Sequence, residues 1–296
     1  MASSALTASP FIAGLPMYDW PEVADALDDL WTHIADAGRA MGLAMPSRLV
    51  RRADLVSLWS DPTMLLGQVC SLNPVRDGLG ETEVVGTLVY DAPADLPQPE
   101  PGSYYSVIVC RRDDPRRPSG NCDLGSGVAT ADVERFAGAR VAANGTDSQS
   151  GYWSLGHFVR DLVADGPIFG DVLFTGAHRD SVNAVADGTA DLAAIDVHSW
   201  RLAREYERDA TEQLAVIGTT APTPGVVCVV SWELKNHRPA LDAALHEAVA
   251  GFVGTPAAER LHLSGYRSRR LEEFQIVADQ VESAGHHPWH RVPSGV

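Results

Sequence analysis

The amino-acid sequence predicts an α/β protein of two domains, with mostly parallel sheets covered by helices on both faces. Strand-like and helix-like segments alternate along most of the chain, which is the pattern of repeated β-α-β units. The length of 296 residues fits two domains or one large one. The chain shows no internal repeat with a period of about 20–50 residues, which argues against a solenoid.

The first half of the chain begins with a short apolar run, residues 11–15. Residues 21–41 follow, with apolar side chains spaced for one helix face. Pro21 suits the first position of that helix, where the N–H that proline lacks is not needed. Three strands are predicted next, at residues 65–69, 83–90 and 104–111. The proline-rich residues 92–103 between the last two predict a loop.

The second half of the chain repeats the alternation of strands and helices at shorter intervals. The predicted strands are residues 140–143, 171–175, 192–197, 214–219 and 226–230. The predicted helices are residues 131–136, 150–163, 179–187, 200–209, 239–252, 255–261 and 272–283. The tail that follows is rich in glycine and proline, and we expect it to be loose. Its histidines fit a surface tail better than a metal site: His286, His287 and His290.

Composition excludes several classes of function. The 39 acidic side chains outnumber the 23 basic ones, giving a net charge of −16, whereas a nucleic acid or an anionic membrane requires a basic face. Lys235 is the only lysine, so a phosphate loop of the Gly-Lys-Ser/Thr type is absent. No stretch reaches the roughly 18–20 apolar residues of a membrane helix. We therefore expect no nucleic-acid partner and no membrane insertion, and nothing in the sequence calls for a cofactor or a metal.

The N-terminal residues predict the compartment. They contain no basic segment and no apolar run as long as that of a signal peptide, and Pro10 and Pro16 interrupt their apolar character. The sequence as it stands therefore predicts a cytoplasmic protein. A periplasmic location would require that a signal peptide had been removed.

Residues 144–152, NGTDSQSGY, form the most informative stretch, between a predicted strand and a predicted helix. Ser148, Gln149 and Ser150 crowd the helix start, and Gly151 follows them. A helix N-terminus has unpaired N–H groups and a partial positive charge, so it can bind an oxyanion without a lysine. An ordinary N-cap explains any one of these residues equally well. Both readings remain open from spacing alone.

A second stretch, residues 174–200, places His178 at a turn before a helix and Asp196 at the end of an apolar strand. A carboxylate at a strand end points toward the crevice where open α/β sheets bind ligands. A histidine at a helix start is also commonly a cap or a surface residue. The chain contains no Gly-x-Ser-x-Gly, His-Glu-x-x-His or Gly-x-Gly-x-x-Gly signature, so no catalytic residue is predicted from a motif.

Four segments together resemble the phosphate/phosphite/phosphonate-type substrate-binding proteins of ABC transporters. The run TGAHRDSVNAVADGTADLAAIDVHSW is similar to a family signature of the form Gly-x-His-x-x-Ser, a helix with Ala-Val, then Gly-x-Ala-Asp-x-Ala-Ala-Ile-Asp. NGTDSQSGY resembles the family's anion loop, Asn-x-x-x-Ser-x-Ser-Gly-Tyr. LLGQVCSLNP and PGSYYSVIVCR resemble a strand of the first lobe and a crossover strand. The resemblance extends from about residue 12 to about residue 281.

This resemblance implies a type II periplasmic-binding-protein fold, in which two α/β lobes are joined by two crossover strands and hold a ligand in the cleft. The crossovers would be residues 104–111 and 214–230. Lobe one would be discontinuous, residues 1–103 and 220–296, and lobe two would be residues 104–219. The resemblance also implies a small-molecule oxyanion ligand and an ABC-transporter permease as partner.

Carried over position by position, the resemblance implies a set of ligand-binding residues. Ser148, Ser150 and Gly151 match the phosphonate-holding loop, and Gln149 stands where a threonine is common. The same resemblance implies that His178 is a cleft histidine, that Asp196 is the carboxylate that closes the motif and that Tyr18 is an aromatic contact after the first strand. It also implies two further contacts, Gln68 and Tyr104.

Two classes of function follow. The first is a binding protein that closes its lobes on a phosphonate-like or phosphate-like solute without chemistry. The alternative is a cytosolic enzyme on the same fold, of the menaquinone-pathway or thiamine-pyrimidine-synthesis type, with His178 and Asp196 as acid and base. No nucleophile–base pair is recognisable in the sequence, which favours binding over catalysis.

Overall fold

A computed structural model describes residues 9–76, 81–118, 133–162, 166–285 and 288–291 of the chain. Several predicted positions lie outside these ranges: residues 131–132, residue 163, His286 and His287. The contacts divide the chain into two compact units. Unit 1 is Met1–Asp91 with Gly225–Phe274, and unit 2 is Ala92–Pro224 with Gln275–Val296.

The strands and helices of unit 1 follow the predicted order with small shifts. Its strands are β1 (Ile12–Gly14), β2 (Met64–Val69), β3 (Thr82–Tyr90), β11 (Val227–Ser231) and β12 (Leu263–Ser268). Its α-helices are α1 (Ala24–Ala40), α2 (Leu55–Trp59), α7 (Arg238–Phe252) and α8 (Pro256–Leu261). Helix α1 buries the face that carries Leu27, Leu30 and Ile34, as its apolar spacing predicts. The sequence patterns missed the short helix α2 and the strand β12.

Unit 2 contains the remaining strands and helices. Its strands are β4 (Ser103–Tyr104), β5 (Ser106–Arg111), β6 (Val141–Ala143), β7 (Val172–Phe174), β8 (Leu192–Asp196), β9 (Leu214–Thr219) and β10 (Thr223–Pro224). Its α-helices are α3 (Ser154–Phe158), α4 (His178–Ala186), α5 (Val197–Tyr206), α6 (Arg208–Thr211) and α9 (Gln275–Gly285). The predicted single strand 104–111 is divided, because β4 pairs with β10 while β5 enters the main sheet.

The prediction of mostly parallel sheets is wrong, because both main sheets are mixed. The sheet of unit 1 has the order β1-β2-β11-β3-β12, and only β1 and β2 form a parallel pair. The sheet of unit 2 has the order β7-β6-β8-β5-β9, in which β5 runs antiparallel to both of its neighbours. In each sheet, one strand from a distant part of the chain separates two strands that share a direction. Local β-α-β spacing cannot reveal such an insertion.

The division by contacts also differs from the predicted lobe boundaries at the C-terminus. Helix α9 and the described tail belong to unit 2, although the prediction placed them in lobe one. Trp289 is 2% exposed and packs in the core of unit 2 with Phe169, at a ring-centroid distance of 6.0 Å. His290 contacts the Tyr152 hydroxyl through Nε2 at 2.8 Å. The expectation of a loose tail is therefore wrong for residues 288–291, because an aromatic anchor holds them.

Among the described residues, no helix combines the length and the apolar character needed to cross a bilayer.

Candidate ligand-binding site

Three connections in unit 2 meet at one edge of its sheet. Strands β6, β7 and β8 share a direction, since β6 pairs in parallel with both of the others, so their carboxyl ends lie on the same side. Each strand is followed by a helical segment: the turn that leads into α3, then α4 and α5. Helix N-termini carry N–H groups without helical partners and a partial positive charge, which either a side-chain cap or a negative ligand group can satisfy.

The connection after β6 contains a wide, π-helical turn over Gln149–Trp153 that leads into α3. The Ser148 side chain caps it, accepting a hydrogen bond from the Gly151 N–H at 3.0 Å. The Trp153 N–H donates to the Ser148 carbonyl at 3.2 Å, five residues back. π-helical turns are rare in proteins, and those that occur are often found at functional sites. The sequence-predicted cap and the predicted anion loop therefore coincide in one turn.

Gly151 stands where there is little space for a side chain. A Cβ atom there would lie 2.7 Å from the Asn144 Oδ1 and 3.0 Å from the Ser148 Oγ. Real Cβ atoms do not make contacts as short as the first of these, so a larger residue would force the Asn144 side chain to move.

Ser150 is the centre of the hydrogen bonding at this edge. Its Oγ lies 2.8 Å from the Nε2 of His178, the first residue of α4. Its carbonyl accepts hydrogen bonds from the Ser106 hydroxyl at 2.8 Å and the Ser154 hydroxyl at 2.7 Å. Ser150 is therefore fixed by β5, α3 and α4 together.

His178 also faces Asp196, the last residue of β8. The His178 Nε2 lies 3.3 Å from the Asp196 Oδ2, and both side chains are almost completely buried. Asp196 is also the N-cap of α5, since its Oδ1 accepts hydrogen bonds from the N–H groups of His198 and Ser199, each at 3.0 Å. Its Oδ2 accepts a hydrogen bond from the Ser199 hydroxyl. The structure thus joins the two predicted residues in one network.

Burial lowers the pKa of His178 below its ordinary value of 6.5, because the charged imidazolium is poorly solvated there. The charge of Asp196 and the Ala194 carbonyl act in the opposite direction but do not outweigh burial. The imidazole is therefore neutral at neutral pH.

The turn before α4 brings His178 to the network. Gly176 adopts φ +88°, a left-handed conformation that favours glycine, and its N–H donates to the Asn144 carbonyl at 2.9 Å. The Thr175 hydroxyl contacts the Ser181 hydroxyl at 2.6 Å. This turn ties the start of α4 to the connection that carries Ser148 and Ser150.

Gln149 is held by the C-terminal helix. It is 1% exposed, and its Nε2 donates to the Gln280 Oε1 of α9 at 2.7 Å. Tyr104 lies on β4, paired in register with Thr223 of β10. Both residues stay predictions as ligand contacts.

The two predicted residues of unit 1 lie at the carboxyl edge of its own sheet. Tyr18 follows β1 on a short turn, and its ring packs edge-on against Tyr90, the last residue of β3, at 5.1 Å. Gln68 of β2 is 1% exposed, and its side chain hydrogen-bonds to Tyr90. Burial raises the pKa of Tyr90, while the neighbouring Gln68 amide lowers it by a smaller amount. Tyr18 and Gln68 also stay predictions as ligand contacts.

Sequence reasoning missed three residues of these two edges. Ser199 was recognisable, because it stands three residues after a candidate N-cap aspartate. Tyr90 ends a predicted strand, which is a weaker signal. Ser106 gave no signal, since its role depends on the pairing of β5 with β8.

Comparison with protein families gives one match over most of the chain. Residues 87–279 match the family described as "ABC transporter, phosphonate, periplasmic substrate-binding protein". The chain belongs to this family. It is therefore a solute-binding protein, and the enzyme alternative built on His178 and Asp196 is not favoured. No curated protein matches the chain significantly.

Solved structures show the same fold at low sequence identity. PhnD1 from Prochlorococcus marinus, in complex with methylphosphonate, is 12% identical, with a TM-score of 0.69 over 93% of this chain and 98% of that one. The binding component PA3383 of a phosphonate ABC transporter from Pseudomonas aeruginosa is 16% identical, with a TM-score of 0.65 over 94% and 87%. XAC2383 from Xanthomonas citri, bound to ATP, is 16% identical, with a TM-score of 0.64 over 95% and 100%. These matches confirm the predicted type II periplasmic-binding-protein fold.

Proposed function

We propose that this solute-binding protein takes a small phosphonate-like oxyanion, and that unit 2 holds its anionic group at the turn formed by Ser148, Gln149, Ser150 and Gly151. The observation that carries the proposal is the hydrogen bond between the Ser150 Oγ and the His178 Nε2 at the converging helix starts. Helix-terminal N–H groups and hydroxyls bind an oxyanion without a basic side chain, which agrees with the net charge of −16.

Membership of an ABC-transporter family supports a permease as the macromolecular partner and the periplasm as the place of action. Closure of two lobes on the ligand, as the resemblance implies, stays a prediction. Tyr18, Gln68 and Tyr104 would contribute further ligand contacts.

Isothermal titration calorimetry of the purified chain tests the proposal. The probes are methylphosphonate, 2-aminoethylphosphonate, phosphite, phosphate and acetate, and we expect saturable binding of at least one phosphonate. The double variant Ser148→Ala with Ser150→Ala should weaken binding by about 1–3 kcal/mol, because two hydroxyl hydrogen bonds to the anion are lost.

The matched control is the double variant Ser57→Ala with Ser60→Ala in unit 1. Both of these hydroxyls donate to backbone carbonyls of the α2 region, so binding should be unchanged. Equal affinity of the Ser148/Ser150 variant and the wild type would refute the site. Failure of every phosphonate to bind would refute the ligand class.

A further inference from the structure

Asp196 uses all of its hydrogen-bonding capacity inside unit 2. Four donors surround its carboxylate: the N–H groups of His198 and Ser199, the Ser199 hydroxyl, and the His178 Nε2 at 3.3 Å. An ionised carboxylate offers about four lone-pair sites, so these contacts fill them. The side chain is 3% exposed. Asp196 therefore has neither the surface nor the acceptor sites to receive a ligand amine or a ligand proton.

The contacts of His178 decide which ring nitrogen carries the proton. Its Nε2 faces the acceptor-only Asp196 Oδ2 and, at 2.8 Å, the Ser150 Oγ. Its Nδ1 makes no hydrogen bond within the described residues. The other acceptor that acts on the ring, the Ala194 carbonyl, is neutral and attracts a proton less strongly than a carboxylate does. A carboxylate stabilises a proton on the nitrogen it faces. The neutral ring therefore carries its proton on Nε2.

This tautomer fixes the orientation of the Ser150 hydroxyl. A serine hydroxyl has one proton to donate and two lone pairs that accept. The single His178 Nε2–H is shared between the Ser150 Oγ at 2.8 Å and the Asp196 Oδ2 at 3.3 Å, so the Ser150 hydroxyl keeps its own proton for another partner. Ser150 thus presents a donor, and not a lone pair, to the ligand at the anion turn.

We infer that Asp196 is a positioning residue that does not touch the ligand, and that it makes Ser150 a dedicated donor by holding the His178 proton on Nε2. The site then selects an oxyanion whose facing oxygen carries no proton. The inference about selectivity rests on the proposed function, whereas the inference about the tautomer does not.

The elements next to His178 carry the following ionisable groups. Strand β6 carries none, and β5 carries Cys110 and Arg111, which are four and five residues after Ser106. Arg179, next in α4, pairs with Glu207 at 2.5 Å. The remaining ionisable side chains of α4, α5 and α6 are Asp180, His198, Arg201, Arg204, Glu205, Tyr206, Arg208 and Asp209. Of the described groups, only Asp196 is in an ion pair with the His178 ring.

Asp196→Asn tests the inference with little disturbance of the fold, because asparagine is as good an N-cap as aspartate. Its carbonyl oxygen can accept from the two backbone N–H groups, and its amide then donates toward His178. The ring proton must move to Nδ1, and the Ser150 hydroxyl must donate to Nε2. Ring-nitrogen NMR of protein labelled at histidine, assigned with His178→Gln, should show the Nε2–H form in the wild type and the Nδ1–H form in Asp196→Asn.

Binding of methylphosphonate as a function of pH gives the second readout. Wild-type affinity should rise as the ligand loses its second proton, because Ser150 needs an acceptor. In Asp196→Asn the affinity should fall over the same range, because Ser150 now accepts from the protonated oxygen of the monoanion. The two proteins should differ by at least about tenfold where the ligand is a dianion. Asp187→Asn, whose carboxylate is bonded by the N–H and the side chain of Thr189 on a surface turn, should follow the wild type.

Three outcomes would overturn the inference. One is an Nδ1–H form of His178 in the wild type. Another is an Asp196→Asn affinity that is lowered by the same factor at every pH. The third is a larger loss for 2-aminoethylphosphonate than for methylphosphonate, since that would place Asp196 on the ligand amine. Failure of the wild type to bind any phosphonate would overturn the proposed function, while the NMR result would still decide the tautomer.

Discussion

The carboxyl edges of the two main sheets both lie at the ends of parallel strands but have different chemistry. In unit 2, Ser106, Ser150, His178 and Asp196 form a continuous hydrogen-bonded network. In unit 1, Tyr18 and Tyr90 pack edge to face, and the buried Gln68 side chain hydrogen-bonds to Tyr90. The hydrogen-bonded edge is the one that we propose for the anion, whereas the other edge offers aromatic surface and a buried amide. The difference supports the proposal that unit 2 recognises the anion.

The largest expected effect tests whether the C-terminal tail belongs to unit 2. Trp289→Ala should lower the free energy of unfolding by about 3–5 kcal/mol, because a buried indole leaves a cavity. Trp232→Ala in unit 1 should cost about 0.5–1 kcal/mol, since that ring is 40% exposed and has the Lys235 ammonium over its face, 3.3 Å from the centroid. Chemical denaturation monitored by circular dichroism measures both. A loss below about 1 kcal/mol for Trp289→Ala would contradict the anchoring role of the tail.

The same substitution at two buried glutamines compares the edges directly. Gln149→Leu should lower the free energy of unfolding by about 1–3 kcal/mol, because the Gln280 Oε1 loses its donor. Gln68→Leu should cost less, about 0.5–1.5 kcal/mol, because it removes one neutral side-chain hydrogen bond, to Tyr90, and leaves no amide acceptor without its donor. Both are measured by denaturation without ligand. Equal losses would show that Gln68 is as fully bonded as Gln149, and the contrast between the edges would disappear.

The smallest expected effect is a pH dependence that arises from unit 2. The folded-state pKa of His178 lies below its ordinary value of 6.5, so the unfolded chain binds the proton more readily. The free energy of unfolding should therefore be unaffected by this group above about pH 6.5 and fall as the pH is lowered further, by at most about 1.4 kcal/mol per pH unit. His178→Gln should remove this component.

His246→Gln in unit 1 is the matched control, since that exposed histidine contacts the Ser268 hydroxyl on the protein surface. Its pH profile should match that of the wild type. If the profile of His178→Gln were the same as that of the wild type, the pKa of His178 would be equal in the folded and unfolded chain, which would contradict the prediction.

The sequence by itself determined the α/β class, most strand and helix positions, and the stretches that carry the site. Glycines, an N-cap serine and a strand-end aspartate leave local signals, and the family resemblance carried Ser148, Ser150, Gly151, His178 and Asp196 as a set. Only the tertiary structure decided which of these residues meet. Strand β5 lies antiparallel to β8 in the sheet, and this pairing lets the Ser106 hydroxyl donate to the Ser150 carbonyl.

The tertiary structure also decided what two of the residues do. Gln149 bonds to a helix more than a hundred residues away, and Asp196 uses its acceptors within unit 2. Sequence periodicity reports which face of a segment is apolar, since that depends on near neighbours along the chain. Hydrogen-bond saturation depends on neighbours in space, which distant strands and helices supply only when the chain folds.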